Sequence, residues 1–101
     1  MPITVIFGIF EWDSDKEGLN VKRHRVTFET ATLAFLDSNR IIAVDSLHSE
    51  AEPRKFCIGK AGNRVVTVRF TLRGNRIRII GAGYWRKGKK IYEKERSKKS
   101  R

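Results

Sequence analysis

A chain of 101 residues is one domain by length, with room for a single modest core. Its 40% hydrophobic and 33% charged residues fit a compact core under a heavily charged surface and give no ground for disorder of the body. The net charge of +11 calls for a polyanionic partner, nucleic acid or an acidic protein, while the single Cys57 excludes an intramolecular disulfide and leaves the cytoplasm as the expected compartment.

The apolar run over residues 3–10 stops at Glu11, too short for a membrane helix and lacking the charged start of a signal peptide, so it predicts an opening strand. Asp13 is placed to cap a helix reaching about His24, with Asp15 and Glu17 in the first turn, where the helix dipole favours acids. Lys16, Asn20 and His24 recur at i, i+4 and i+8, a polar stripe expected to face solvent. Thr27 is placed to cap a second helix. Phe28, Ala31, Thr32 and Phe35 share one face of it, with Val26 and Ala31 as a hydrophobic staple. Residues 37–39 break that pattern, 40–44 form a short strand, and 45–53 are a polar loop.

The loop and its exit concentrate chemistry: His48, Glu50 and Arg54 supply a proton carrier, a carboxylate and a guanidinium. Those are the parts of a ribonuclease, in which a base activates the 2′-hydroxyl, an acid protonates the departing 5′-oxygen and cations stabilise the phosphorane. On spacing alone, a solvated loop rich in His, Ser and Glu is the commoner outcome. Asp45, His48, Glu50 and Glu52 have no recognised ligand spacing, and no metal site or cofactor is expected.

Residues 54–60 read as a strand, a turn follows at 61–63, and then Gly74-Asn75 joins two alternating runs as a two-residue hairpin. The register sets Arg73 opposite Arg76, Leu72 opposite Ile77, Thr71 opposite Arg78, Phe70 opposite Ile79, Arg69 opposite Ile80 and Val68 opposite Gly81. Val66, Val68, Phe70, Leu72, Ile77 and Ile79 then form a core face. The other face carries Thr67, Arg69, Thr71, Arg73, Arg76 and Arg78, four guanidiniums with no acid beside them on the hairpin, where a merely soluble surface mixes signs.

Residues 84–101 hold nine Lys or Arg against two acids, so +7 of the total +11 is C-terminal. A last helix is expected over 86–96, weakened by Gly88, and 93–101 form a basic tail appended to a single domain over 1–92. Tyr84, Trp85 and Tyr92 lie among basic residues, Arg86 and Lys87 included. They offer either base-stacking surfaces or packing for that helix. The expected layout is α+β: an antiparallel β-sheet meander packed against two N-terminal helices, with a C-terminal helix beyond.

Phe10-Glu11-Trp12-Asp13, then Lys16, Asn20 and Lys22-Arg23-His24, then His48-Ser49-Glu50, Arg54, Ile58-Gly59, Thr71-Leu72-Arg73 and Arg76 through Ile80 together resemble the BrnT family of toxins. The resemblance runs from about Phe10 to Tyr92. It implies a RelE-like ribonuclease fold and a ribonuclease toxin of a type II toxin–antitoxin pair that acts on RNA. It further implies a partner antitoxin of the BrnA type, through which the complex binds operator DNA. Carried onto matching positions it implies Arg54, Arg73 and Arg78, with His48 and Glu50, as site residues. By the chemistry of their side chains, His48, Glu50, Arg54 and Arg78 are assigned to catalysis, and Arg69, Thr71, Arg73, Arg76, Arg86, Lys87 and Tyr92 to RNA binding. The chain departs from the family pattern at Gly81-Ala82-Gly83-Tyr84-Trp85, where an arginine is expected at position 83. Either Arg86 or Lys87 substitutes for it or the nuclease is weakened. Two alternatives stay beside a metal-independent endoribonuclease: a non-catalytic nucleic-acid-binding module on the same fold, and a basic domain that meets an acidic protein.

Overall fold

The computed structural model describes residues 2–46 and 52–99, the side chain of Lys99 excepted. In chain order these form β1 (Thr4–Phe7), β2 (Phe10–Asp13), α1 (Ser14–His24), α2 (Phe28–Thr32), a 3-10 helix (Leu33–Leu36), β3 (Ile41–Val44), β4 (Lys55–Ala61), β5 (Arg64–Arg73), β6 (Arg76–Gly83) and α3 (Arg86–Lys99). The class is α+β. The six strands make one sheet in the order β1-β2-β6-β5-β4-β3.

That sheet corrects the expectation of a purely antiparallel meander. The chain reverses at Gly8-Ile9, so the single opening strand becomes a hairpin, and its second arm joins β6 in parallel with Phe10 opposite Ile77 and Glu11 opposite Arg78. Phe10 and Trp12 alternate inward, and burying both requires a strand whose Glu11 turns to the other face. Only β3 through β6 form the antiparallel meander.

Asp13 does cap α1, its Oδ1 accepting from the backbone N–H groups of Asp15 and Lys16 at 2.8 and 3.1 Å. Arg25 closes the helix in the left-handed conformation, φ 58°, and donates its N–H to Val21 O. Of the stripe expected at the surface, Lys16 is exposed, but Asn20 is instead an anchor. Asn20 is buried, its Nδ2 donating to Val26 O and Ala82 O at 2.9 Å each while its Oδ1 accepts from Ala82 N at 3.0 Å. Glu17 adds a second clamp, accepting from Trp12 Nε1 and from Phe28 N. These two polar side chains tie α1 to β2, to β6 and to the start of α2. A polar group with every partner present is tolerated in a core, so the weak apolar pattern of α1 suffices.

Thr27 caps α2 through Thr30 N, but the helix lasts only Phe28–Thr32 before tightening into the 3-10 turn, shorter than the continuous helix expected. Phe28, Ala31 and Ala34 are fully buried against Val66, Val68, Phe70 and Ile79. Edge-to-face rings run through this core, Phe10 on Phe35 at 5.2 Å, Phe35 on Phe70 at 5.1 Å and Trp12 on Phe28 at 6.0 Å.

Gly74, at φ +58°, makes the tight turn of the β5–β6 hairpin, and the expected register holds from Arg73↔Arg76 to Phe70↔Ile79. It then shifts. A bulge inserts one residue in β6, so Arg69 opposes Gly81 and Val68 opposes Ala82, in place of Ile80 and Gly81. Ala82 is thereby the residue turned into the core. Leu72, expected inside, is exposed near the hairpin tip.

α3 crosses the opposite side of the sheet, over a small cluster of Ile58, Val65 and Tyr92. Gly88 is the point of closest approach, since a Cβ there would collide with the Thr67 side chain. The glycine that weakens the helix as a sequence is what lets it lie down on β5. α3 continues to Lys99, past the expected Arg96.

Asn20→Ala removes three buried hydrogen bonds and strands the Ala82 backbone groups. It should lower the unfolding free energy by roughly 2–4 kcal/mol, read from urea denaturation; a loss below about 0.5 kcal/mol would contradict the anchoring role.

Candidate functional site

The arginines of the hairpin do not stand as a bare palisade. Arg78, in β6, lies in register with Thr71 of β5 on one side and Glu11 of β2 on the other. Its Nη1 donates to Glu11 Oε2 at 2.7 Å, and only 15% and 13% of the two side chains is exposed. This is a charge-assisted bond with limited access to water. Arg73 Nη2 donates to Glu52 Oε1 at 3.1 Å in a much more exposed pair. Arg69 Nε sits 3.3 Å from Asp45 Oδ2, an ion pair without hydrogen-bond geometry, and its guanidinium lies 5.7 Å from the Phe56 ring centroid. Arg76 Nη1 donates to Gly8 O at 2.8 Å, fastening the hairpin to the β1–β2 turn. Acids absent from the hairpin itself thus arrive from β2 and from both ends of the loop over 45–53, which no reading of the hairpin alone could foresee.

Glu52 takes the Arg73 guanidinium, and its neighbour Pro53 is held by Thr71, the register partner of Arg78. The hydrogen bond from Arg73 holds the Glu52 carboxyl below the usual carboxylate range, against a smaller opposing effect of desolvation. Arg73, Arg54 and Arg78 then add attraction through their charges. Three arginines therefore act on one anionic group at the end of the sheet that α3 leaves uncovered. Neither Glu11 nor Glu52 stood out in the sequence as part of the site. The alternation of buried residues over Phe10–Asp13 signals that Glu11 turns away from the core, but not that β6 lies beside it.

The other candidates divide. Thr71 is buried, and its hydroxyl donates to Pro53 O at 2.5 Å, so it pins the segment carrying Glu52 and Arg54 and has no exposed surface for a ligand. His48 and Glu50 lie outside the described residues. Arg86 and Lys87 are exposed at the start of α3, Lys87 beside a groove of about 320 Å³ that also includes Arg69 and Trp85. Tyr92 is 3% exposed and donates its hydroxyl to Asp37 Oδ2 at 2.6 Å. It docks α3 on the sheet and has no ring face left for stacking. Trp85 packs edge-to-face on His24 at 5.1 Å and lies against Gly83. A Cβ at position 83 would run into that indole, so the arginine missing there has been displaced by the Trp85 ring. Cys57 is fully buried, its thiol pushed up to about 12 by desolvation, and it belongs to the core. Among the described residues no three His, Cys, Asp or Glu side chains gather as a metal site, and no helix is long and apolar enough to cross a membrane.

A family model described as ribonuclease toxin, BrnT, of type II toxin–antitoxin system matches residues 12–88. No curated protein matches the chain.

The Tyr92–Asp37 contact sets a pH dependence at both ends. Desolvation alone would raise Asp37, but hydrogen bonds from Tyr92, Lys60 N and Asn39 N outweigh it and hold the carboxyl low; this stability is present above the unfolded pKa and lost as pH falls through the folded one. Burial, then the bond to Asp37, raises Tyr92 from 10.0 to about 12, giving stability present below pH 10 and lost as pH rises toward 12. Tyr92→Phe should raise the Asp37 pKa and shrink the stability lost on acidification. A carboxyl NMR titration checks this, and an unchanged Asp37 pKa in the variant would contradict it.

Proposed function

Because this chain belongs to the BrnT family of ribonuclease toxins of type II toxin–antitoxin systems, we propose that it is an endoribonuclease whose scissile phosphate is held by Arg54, Arg73 and Arg78. The observation that carries this reading is geometric: Arg73 holds Glu52 at 3.1 Å, and Thr71, the register partner of Arg78, holds Pro53, the residue between Glu52 and Arg54. A planar, bidentate donor suits a phosphodiester as well as a carboxylate, and the exposed Arg73–Glu52 pair is the one an incoming phosphate would replace. Arg78, buttressed by Glu11, stays in position during that exchange.

The chemistry needs no group beyond the chain and the RNA. A base, His48 or Glu50, takes the proton of the 2′-hydroxyl as its oxygen bonds to phosphorus. Negative charge builds on the non-bridging oxygens opposite the arginines. The bond from phosphorus to the 5′-oxygen then breaks as the other of the two residues delivers a proton to it. The products are a 2′,3′-cyclic phosphate and a free 5′-hydroxyl. On this reading the fold is RelE-like, cleavage inhibits translation and growth, and a BrnA-type antitoxin neutralises the toxin in the cytoplasm and carries the complex to operator DNA.

Arg78→Ala should lower the rate of RNA cleavage by about 100-fold or more and abolish growth arrest on induction without the antitoxin gene. Arg73→Ala, an exposed position with little to lose in folding, should give a smaller defect in the same assay. Mapping the RNA ends in the presence of EDTA checks both. Intact RNA with the wild-type protein would leave a non-catalytic nucleic-acid-binding module, and full toxicity of Arg78→Ala would remove that arginine from the site.

A further inference from the structure

Arg69, Arg73 and Arg78 each have a carboxylate within ion-pair distance. The far end of the sheet differs. Between the β4–β5 turn and one flank of α3 lies a groove of about 620 Å³, bordered by Lys60, Arg64, Lys89 and Arg96 and by the one acid Glu93. Among the described residues, Lys60, Arg64 and Lys89 have no ion-pair partner. Three cations without an ion pair among the described residues therefore stand together here, and cations left together without counter-charge are stabilised by a bound polyanion.

The groove also holds a planar element. The Arg64 guanidinium lies over the Tyr84 ring, 3.5 Å from its centroid, so one face of the guanidinium is occupied while no hydrogen bond within the described residues uses its edge. A stacked guanidinium offers edge donors to a phosphate and its second face to a nucleobase, the combination of cation and stacking surface that grips single-stranded nucleic acid. An acidic peptide would use the charges but not the stack.

We propose that this groove is a second contact for RNA, holding the phosphodiester backbone of a single strand whose scissile phosphate lies at Arg78. The inference rests on the ribonuclease reading and extends its footprint. Arg64 stands seven residues along β5 from Thr71, the register partner of Arg78. At the usual rise per strand residue the two backbone positions are about 23 Å apart, and their odd spacing starts the side chains on opposite faces, so an RNA reaches Arg64 by turning around the β4–β5 end of the sheet. Only an RNA several nucleotides long reaches both, so short substrates forgo the second contact.

The test uses the full chain and a labelled single-stranded RNA with 2′-O-methyl sugars throughout, which binds but cannot be cleaved, titrated over a range of salt. The Arg64→Gln/Lys89→Gln double variant should flatten the slope of log affinity against log salt by about 1.4, two lost contacts at about 0.7 each for single strands. Its turnover of saturating unmodified RNA should equal the wild type. Arg64→Lys alone should keep the slope and weaken binding, because it retains the charge and loses the stack. An unchanged slope in the double variant overturns the proposal, as does a loss of affinity for the antitoxin with RNA binding intact, which would give the groove to an acidic protein. A wild type that binds with the expected slope change but leaves RNA uncleaved would sink the nuclease reading and keep the groove.

Discussion

The parallel pairing of β2 with β6 is the constraint on which the rest of this structure depends. It sets Phe10 and Trp12 into the main core on one side of the sheet and Glu11 against Arg78 on the other. Without it β6 would be an open edge, Trp12 would not be held against Phe28, and Arg78 would lose its hydrogen-bonded carboxylate. A hydrogen bond between charged groups is worth roughly 1.5–3 kcal/mol, and removing one partner of a partly buried pair costs more than the pair contributes. One strand of four residues thus fixes both a fold edge and the most protected cation of the candidate site.

The sheet is covered unequally, and that inequality defines where chemistry has room. α1, α2 and the 3-10 turn fill one side, while α3 lies over only part of the other, held by Tyr92 on Asp37 and by the close approach of Gly88 to Thr67. The uncovered part is where Arg73 pairs with Glu52 and Arg78 with Glu11. Between these arginines the degree of burial assigns different duties. Arg73 and Glu52 form an exposed pair, weak in water and easily exchanged for a phosphate. Arg78 and Glu11 are shielded, so their bond is stronger and the guanidinium stays aimed.

The backbone signals in the sequence proved legible because they are local. Asp13 and Thr27 as helix caps and Gly74-Asn75 as a hairpin turn all depend on residues within four positions of each other. The core-facing positions Val66, Val68 and Phe70 of β5 followed from strand periodicity, Leu72 near the hairpin tip excepted, while the bulge in β6 shifted the partners of Arg69 and Val68. Asn20 was misjudged as surface, and the clamp made by Glu17 went unread, because their partners, Ala82, Val26, Trp12 and Phe28, come from other elements. Tyr92 and Thr71 were offered to RNA for the same reason: a polar side chain among basic residues does not announce that Asp37 or Pro53 has already taken its hydroxyl.

Sequence by itself determined the α+β class, the excess of positive charge with its concentration in α3, the family, and the set of arginines that make up the candidate site. Tertiary structure alone decided how those arginines are used. Electrostatic compensation acts over a few ångströms in space and is blind to separation along the chain, so Glu11, Asp45 and Glu52 neutralise Arg78, Arg69 and Arg73 from 67, 24 and 21 residues away. The same rule leaves Lys60, Arg64 and Lys89, unremarkable in sequence, without an ion-pair partner among the described residues, though Arg64 stacks on Tyr84.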